Sequence, residues 1–166
     1  SWMEEETGEE IAGLTIPIDK KGAKYIYCLN AREPMYYPQD IAMAAKIFTV
    51  AEEDWTMPST GWEATNLAMY AGDRVLAGQV VKNMYEKAVE LGVQKIAITE
   101  CGHAFRSAAF EGPYFAGYAG GKPPVEIVHS VRLFYEYVRD GRIKIDPDKM
   151  LTEPVTYQDP CNVSRN

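Results

Sequence analysis

The chain lacks a long apolar run, an excess of basic residues and any closely spaced cysteines. Its 166 residues include 24 acidic and 17 basic side chains, which give a formal net charge of −7. This balance disfavours a nucleic-acid backbone or an anionic membrane as the main partner. No apolar run approaches the roughly 20 residues of a membrane span, and the opening SWMEEETGEE is acidic where a signal peptide is basic and then apolar. We therefore expect a cytoplasmic protein.

Cysteine and histidine are scarce, with three and two residues respectively. Cys28, Cys101 and Cys161 are far apart and odd in number, so a disulfide framework is not expected and free or metal-bound thiols are favoured. Zinc and iron–sulfur sites usually need about four converging ligands. Because no Cys-x-x-Cys pair is present, the visible chain lacks a complete conventional cluster site.

Apolar and amphipathic segments alternate from Lys24 onward, and this alternation is typical of βαβ units. The predicted strands are KYIYCL, EDWTM, KIAITE, VEIVH and VTYQD, and the predicted helices are PQDIAMAAKIFTVA, GDRVLAGQVVKNMYEKAVELG and SVRLFYEYVRDG. The continuous apolar run at 96–98 is typical of a strand that is covered on both faces. The sequence predicts a three-layer α/β fold with Rossmann-like βαβ units, a mostly parallel sheet and helices on both faces. Residues 1–22 are predicted to be an arm or linker.

Capping residues mark the ends of two predicted helices. Asp73 is expected to cap the long helix, which Gly92 ends, while Ser130 is expected to cap the last helix, which Gly141 ends. The apolar stripe predicted for the long helix consists of Val75, Leu76, Gln79, Val80, Met84, Ala88 and Leu91. The Gly- and aromatic-rich loop at 111–124 is either a lid or docking surface, or a surface insertion.

Ligands of open parallel sheets bind outside the carboxyl ends of the strands. All three cysteines, together with His103 and His129, fall in segments that directly follow predicted strands. We therefore expect these five residues to share one edge of the sheet.

The segment ECGHAFRS places Cys101 at a turn from a strand into a helix. Backbone N–H groups and the positive end of a helix lower the pKa of a thiol at such a turn. Three interpretations remain open for Cys101: a buried structural cysteine, a metal ligand, or a hydrolytic nucleophile paired with His103.

Cys28 and Cys161 lie in similar surroundings, YIYCLN and YQDPCN. Each follows a tyrosine-containing predicted strand and precedes an asparagine. This similarity predicts an internal repeat whose second copy begins near residue 155.

Three motifs, GWEATNLAMYAGD, TECGHAFRSAAFEGP and TYQDPCNVSR, together resemble the cysteine-rich domain of heterodisulfide reductase-type iron–sulfur proteins. More narrowly, the chain is similar to the iron–sulfur protein of the membrane complex associated with dissimilatory sulfite reductase. The resemblance covers most of residues 15–166. It implies tandem repeats, in which a complete repeat holds a non-cubane 4Fe-4S cluster through a lone Cys, a Cys-Cys-Gly and a Cys-x-x-Cys.

By this resemblance, residues 23–154 are a degenerate first repeat. Cys28 stands at the lone cysteine, Ser59-Thr60-Gly61 stands at the Cys-Cys-Gly, and Cys101-Gly102-His103-Ala104 stands at the Cys-x-x-Cys. Because hydroxyls and an alanine replace thiols, this repeat is expected to hold no cluster of its own.

Residues 155–166 would then begin a second, truncated repeat, in which Cys161 is the first cluster ligand and the other ligands lie beyond Asn166. The resemblance assigns Cys161 to metal and cofactor binding. We assign catalytic roles to Cys161 and His103, and we expect Cys28, Cys101 and His129 to lie around the cluster without ligating it. The 4Fe-4S cluster is expected in the full-length protein and not in this fragment.

The implied function is transfer of electrons to a disulfide or trisulfide. The implied partners are redox proteins of a membrane complex and a small sulfur-carrier protein, which would hold the chain at the inner face of the membrane without a span of its own. The alternatives are a non-catalytic α/β scaffold or protein-docking domain, and a Cys-His hydrolase.

Overall fold

The computed structural model describes residues 14–99, 101–156 and 161–164, with the side chains of Cys161 and Ser164 outside the description. Four strands form one parallel sheet in the order β2-β1-β3-β4. The strands are β1 (Tyr25–Cys28), β2 (Trp55–Thr56), β3 (Lys95–Ile98) and β4 (Glu126–His129). The predicted parallel sheet is confirmed.

Helices follow each strand of this sheet. They are α1 (Glu33–Tyr36), α2 (Pro38–Val50), α3 (Ala68–Ala71), α4 (Arg74–Leu91), α5 (Gly102–Arg106), α6 (Gly112–Phe115), α7 (Ser130–Arg139) and α8 (Cys161–Ser164). A π-helical turn (Ser107–Glu111) joins α5 to α6, and short 3-10 turns occupy Ala119–Gly121 and Pro147–Lys149. No helix within the described ranges is long and apolar enough to cross a membrane.

Alternation along β1 sends side chains to two separate cores. Tyr25 and Tyr27 pack with α2 and α7 on one face, which we call the aromatic face, while Ile26 and Cys28 pack with α4 and α5 on the other. Successive residues of a strand point to opposite faces, and both faces of this sheet are covered. The predicted three-layer arrangement, with helices on both faces, is therefore confirmed.

The ends of α4 agree with the sequence prediction, but its buried face differs from the predicted one. Asp73 accepts a hydrogen bond from the Leu76 amide, and Gly92 adopts the left-handed conformation at the C-terminus (φ +65°), as predicted. Val75, Leu76 and Gln79 are exposed, so the predicted stripe was wrong at these three residues. The buried face begins at Ala77, and the first turn makes only a partial contact with α6, where the Arg74 guanidinium lies 5.8 Å from the Phe115 ring. The buried face consists of Ala77, Gly78, Val81, Met84, Tyr85, Ala88 and Leu91.

The N-cap predicted for α7 was displaced by one residue. Ser130 is the first helical residue, and the preceding His129 accepts a hydrogen bond from the Val131 amide through Nδ1 at 3.2 Å. The helix follows β4 without a loop, so the last strand residue is also the cap. Gly141 lies just after the helix in a left-handed conformation (φ +73°), as expected for a glycine that ends a helix.

The segment at 111–124 begins as ordered helix. Its first turn, α6, packs directly on α4, and a Cβ added to Gly78 would lie 2.3 Å from the Phe115 carbonyl oxygen. This contact favours a packed insertion over a mobile lid for residues 112–116.

Both ends of the chain bear on the sequence predictions. Part of the predicted arm, residues 14–22, runs beside β2, where Ile18 pairs with Met57 and Leu14 joins the aromatic-face core. Val155 and Thr156 are not in a strand, and the rest of the predicted fifth strand lies outside the described residues. The second repeat stays a prediction.

Candidate functional site

The strand order places a topological switch point between β1 and β3, where the chain turns from one side of β1 to the other. Cys28 pairs with Ile98 of β3, and Ile98 pairs with His129 of β4. The two candidate site residues, Cys28 and His129, therefore end their strands at the same level of the sheet. Cys101 opens the segment after β3, and α8, which begins at Cys161, lies against α5. The described backbone therefore brings all three cysteines and both histidines to the carboxyl edge of the sheet.

Cys28 lies entirely inside the α4-side core. Its side chain has no solvent exposure and packs among apolar residues of β1, β3 and α4. Burial raises the pKa of this thiol far above its usual range, and the nearby Glu63 carboxylate raises it further. Cys28 is therefore a protonated packing residue at neutral pH.

We expect iodoacetamide to leave Cys28 unmodified in the native protein. Alkylation should be on the order of a thousandfold slower than for an unstructured peptide thiol, since the domain must open first. Mass mapping after a timed reaction, with a urea-unfolded sample as the control, measures the difference. Equal labelling in both samples would contradict the buried placement.

Cys101 caps the short helix α5. Its Sγ accepts a hydrogen bond from the Ala104 amide at 3.5 Å, and its side chain is half-buried. Ala104 is fully buried and offers no ligating atom at the position where the resemblance places a cysteine. This local geometry is a sulfur N-cap on a helix of five residues.

His103 stacks on Tyr70, with ring centroids 3.8 Å apart and planes 22° from parallel. Burial lowers the pKa of the imidazole, and the Asn66 backbone carbonyl partly offsets this effect. Nε2 is buried and has no hydrogen-bond partner among the described residues. His103 is therefore neutral at pH 7.

The titration of His103 gives a pH prediction with a defined sign. Because the folded-state pKa lies below the usual value of about 6.5, the unfolded chain binds the proton first as pH falls. Stability should therefore decrease as pH falls through 6.5, and His103→Gln should remove part of that decrease. NMR titration of the imidazole resonances checks the pKa directly. Tyr70→Ala should raise the pKa, whereas a midpoint above 6.5 in the native protein would contradict the burial effect.

His129 is a buried structural cap on the sheet edge. Nδ1 accepts from the Val131 amide, which places the proton of the neutral imidazole on Nε2. Its ring meets Phe105 edge to face at 5.5 Å. Sequence reasoning placed His129 at this edge but missed its capping role, because Ser130 is the commoner cap residue.

A buried carboxylate at the switch point was missed entirely. Glu33 is 2 % exposed, and its oxygens accept from the Asn30 amide and from the Thr99 hydroxyl, both at 2.6 Å. The Tyr27 hydroxyl donates in turn to Thr99 at 3.1 Å. These bonds tie the loop after β1 to the end of β3. The signal was present in the sequence as Asn-Ala-Arg-Glu, since an Asn-x-x-Glu spacing matches a capping box.

The segment Ser59-Thr60-Gly61 is held in place by contacts with Asp19 and with α4. Ser59 donates to the Asp19 carboxylate through both its amide (3.0 Å) and its hydroxyl (2.5 Å). Gly61 has φ +68°, and a Cβ there would lie 2.8 Å from the Asn83 carbonyl oxygen. This segment therefore packs against α4.

The described residues do not fit a 4Fe-4S cluster. They contain no group of three or more His, Cys, Asp or Glu side chains that could hold a metal ion. Cys28 is a buried thiol, Ala104 has no ligating atom, and the Ser59 hydroxyl is bonded to Asp19.

Comparison with known proteins gives one weak similarity at the level of sequence. No family model matches the chain, and no solved structure matches it. The chain is 25% identical over 124 residues to one component protein of the dihydromethanophenazine:CoB--CoM heterodisulfide reductase of Methanosarcina mazei. The match covers 75% of this chain and 28% of that relative, so the chain spans less than a third of the relative's length. This similarity supports a relationship between the chain and heterodisulfide reductase-type oxidoreductases.

Proposed function

We propose that this chain is the cluster-free α/β part of an iron–sulfur oxidoreductase of the heterodisulfide reductase type. The observation that supports the proposal best is the similarity over 124 residues to a heterodisulfide reductase component. In this proposal the whole protein carries a 4Fe-4S cluster and passes electrons to a disulfide or trisulfide. The described residues form a scaffold beside the cluster.

The finer form of the proposal is a relationship to the iron–sulfur protein of the membrane complex associated with dissimilatory sulfite reductase. Its partners would be redox proteins of that complex and a small sulfur-carrier protein. Cys161 would be a cluster ligand supplied by a second repeat, and the remaining ligands would come from outside the described residues.

Two features of the sheet edge support this division of roles. Cys28 is buried as a thiol and His129 caps α7, so neither side chain is available as a ligand. The packing of α8 against α5 places the backbone of Cys161 beside the segment that contains Cys101 and His103. In this proposal, residues of α5 act on groups near Cys161.

His103 is proposed as a proton-carrying residue for the reduced sulfur product. Reducing a sulfur–sulfur bond to two thiols takes up two electrons and two protons. Burial lowers the pKa of this imidazole, so its protonated form is a stronger acid than a free imidazolium and would release a proton readily to a product thiolate.

The test uses the protein tagged in its native host and purified anaerobically with its partners. Iron and acid-labile sulfide are measured, together with reduction of the CoB--CoM heterodisulfide by a reduced viologen. We expect iron and activity to copurify, Cys161→Ala to lose both, and the neighbouring Asn162→Ala to retain both. His103→Gln should lower the rate while iron is retained. A complex without iron and without activity would overturn the proposal.

A non-catalytic docking domain is the second candidate, and the misfit of the described residues to a cluster favours it. It predicts that the purified complex reduces the disulfide equally well with wild-type, Cys161→Ala and His103→Gln chains. The same assay therefore separates the two candidates.

A further inference from the structure

We propose that the groove between α2 and α7 is a docking site for an amphipathic helix of a protein partner, with a lysine or arginine at the end that lies over Asp40. This surface lies on the aromatic face, on the opposite side of the sheet from Cys28, Cys101 and His103, and the proposal does not depend on the oxidoreductase function.

The two helices enclose a cleft of about 300 Å³. From α2 it is lined by Asp40, Met43, Ala44 and Ile47, at the spacing i, i+3, i+4 and i+7 that places residues on one side of a helix. From α7 it is lined by Ser130 and Phe134. The ring of Phe134 lies 6.0 Å from that of Phe48, which fixes α7 against α2 and sets the width of the groove.

Exposed apolar side chains form the rim of the groove. Met43 on α2 is 47% exposed, and on α7 Val131 and Tyr135 are 45% and 63% exposed. Val131, Tyr135 and Val138 have the spacing i, i+4 and i+7, so they continue the apolar lining outward along one side of α7. Exposed apolar residues that cluster beside a cleft mark interaction sites more often than scattered exposed residues do.

The position of the groove between two helices favours a helix as the occupant. Ridges of one helix pack into the channel between two others at interaxial distances of about 8–10 Å, and helix-in-groove recognition uses apolar anchors at i, i+3, i+4 and i+7. The cleft lies between two helices that both follow parallel strands of one sheet, and Tyr27 and Thr99 of that sheet's strand ends also line it.

The charge of the groove indicates a cationic end on the partner. Asp40 lies exposed in the first turn of α2 and lines the cleft, and the buried Glu33 lines the cleft as well. With a net charge of −7, the chain repels an anionic membrane surface. A partner helix with lysine or arginine at this end gains electrostatic complementarity as well as apolar burial.

The test compares two synthetic helical peptides by fluorescence anisotropy. Each has about 15 residues, with leucine at i, i+3, i+4 and i+7 in an alanine and glutamine background, and one carries three lysines at one end where the other carries three glutamates. We expect the lysine peptide to bind about tenfold more tightly or better, with the difference shrinking at high salt.

Variants of the protein then locate the binding site. Asp40→Lys should reverse the preference between the peptides, and Met43→Lys should weaken binding of the lysine peptide about tenfold or more. Val75→Lys on α4, at a residue that is 85% exposed on the other face, should change neither. Circular dichroism confirms that each variant is folded.

Four results would overturn the proposal. Absence of saturable binding, or binding that is unaffected by Asp40→Lys and Met43→Lys, would show that the groove is not the docking site. Equal binding of the two peptides would show that the partner needs no cationic end. A homodimer in light scattering that Met43→Lys dissociates would show that the occupant is a second copy of this chain.

Discussion

Replacing Phe48 with alanine is expected to lower the free energy of unfolding by about 3–5 kcal/mol, since it removes a fully buried aromatic side chain. Phe48 is the centre of the aromatic face. Its ring lies 4.7 Å from Trp55 and 5.3 Å from Tyr27, and Phe134 and Tyr137 complete the cluster at 6.0 and 6.4 Å. The substitution would leave a cavity between β1, β2, α2 and α7, which these rigid neighbours cannot fill.

Urea denaturation followed by circular dichroism measures the loss. The matched control is Phe110→Ala in the π-helical turn, where the side chain is 43% exposed and meets one ring, Phe105, at 5.8 Å. This control should cost less than about 1 kcal/mol, because it leaves no enclosed cavity. Similar losses for the two variants would show that Phe48 is not the centre of this core.

Replacing Gly78 with alanine is expected to destabilise the protein by about 2 kcal/mol, although α4 as an isolated helix would gain about 1 kcal/mol from the change. The reason is the close approach of α6. An added Cβ would lie 2.3 Å from the Phe115 carbonyl oxygen and 2.6 Å from its carbon, so backbone must move.

Gln79→Ala is the matched control for Gly78, since it changes the next residue of the same helix on its exposed side. Its effect should stay within about 0.5 kcal/mol. Thermal melts distinguish the two effects. Helix propensity alone would raise the melting temperature of Gly78→Ala, whereas the clash with α6 would lower it. A gain in melting temperature for Gly78→Ala would mean that α6 does not lie against α4 at this distance.

The Gly78 contact also bears on the candidate site. The π-helical turn connects α5, which contains His103, directly to α6, which contains Phe115. A displacement of α6 should therefore also displace α5 and its imidazole. Gly78→Ala should therefore shift the His103 resonances in the same NMR spectra that report its pKa, whereas Gln79→Ala should not.

Local signals in the sequence predicted local structure well. Asp73 and Gly92 end α4 as expected, because a cap depends on a few adjacent residues and their backbone angles. The alternation of apolar and amphipathic segments predicted the parallel sheet and its two covered faces, because strand and helix periods differ.

The sequence was misleading where the answer depended on distant contacts. Val75 and Leu76 match the helical period but are exposed, and the buried face of α4 begins only at Ala77. The cap of α7 is His129 because the helix starts directly at the end of β4. Gly78 is unfavourable for helix formation, yet it is needed because the backbone of α6 lies so close that an added Cβ would be 2.3 Å from the Phe115 carbonyl oxygen.

The candidate site also has features that the sequence predicted and features that depend on tertiary contacts. The sequence by itself predicted that Cys28, Cys101, His103 and His129 lie at or just after the ends of strands, and parallel pairing then brings them to one edge. Only the tertiary structure decided what each can do: Cys28 points into a closed core, His129 caps a helix, and His103 stacks on Tyr70. The physical reason is that the chain order specifies which residues reach the edge, whereas burial and hydrogen bonding come from elements far away in sequence. These surroundings set the pKa and the accessibility of each group.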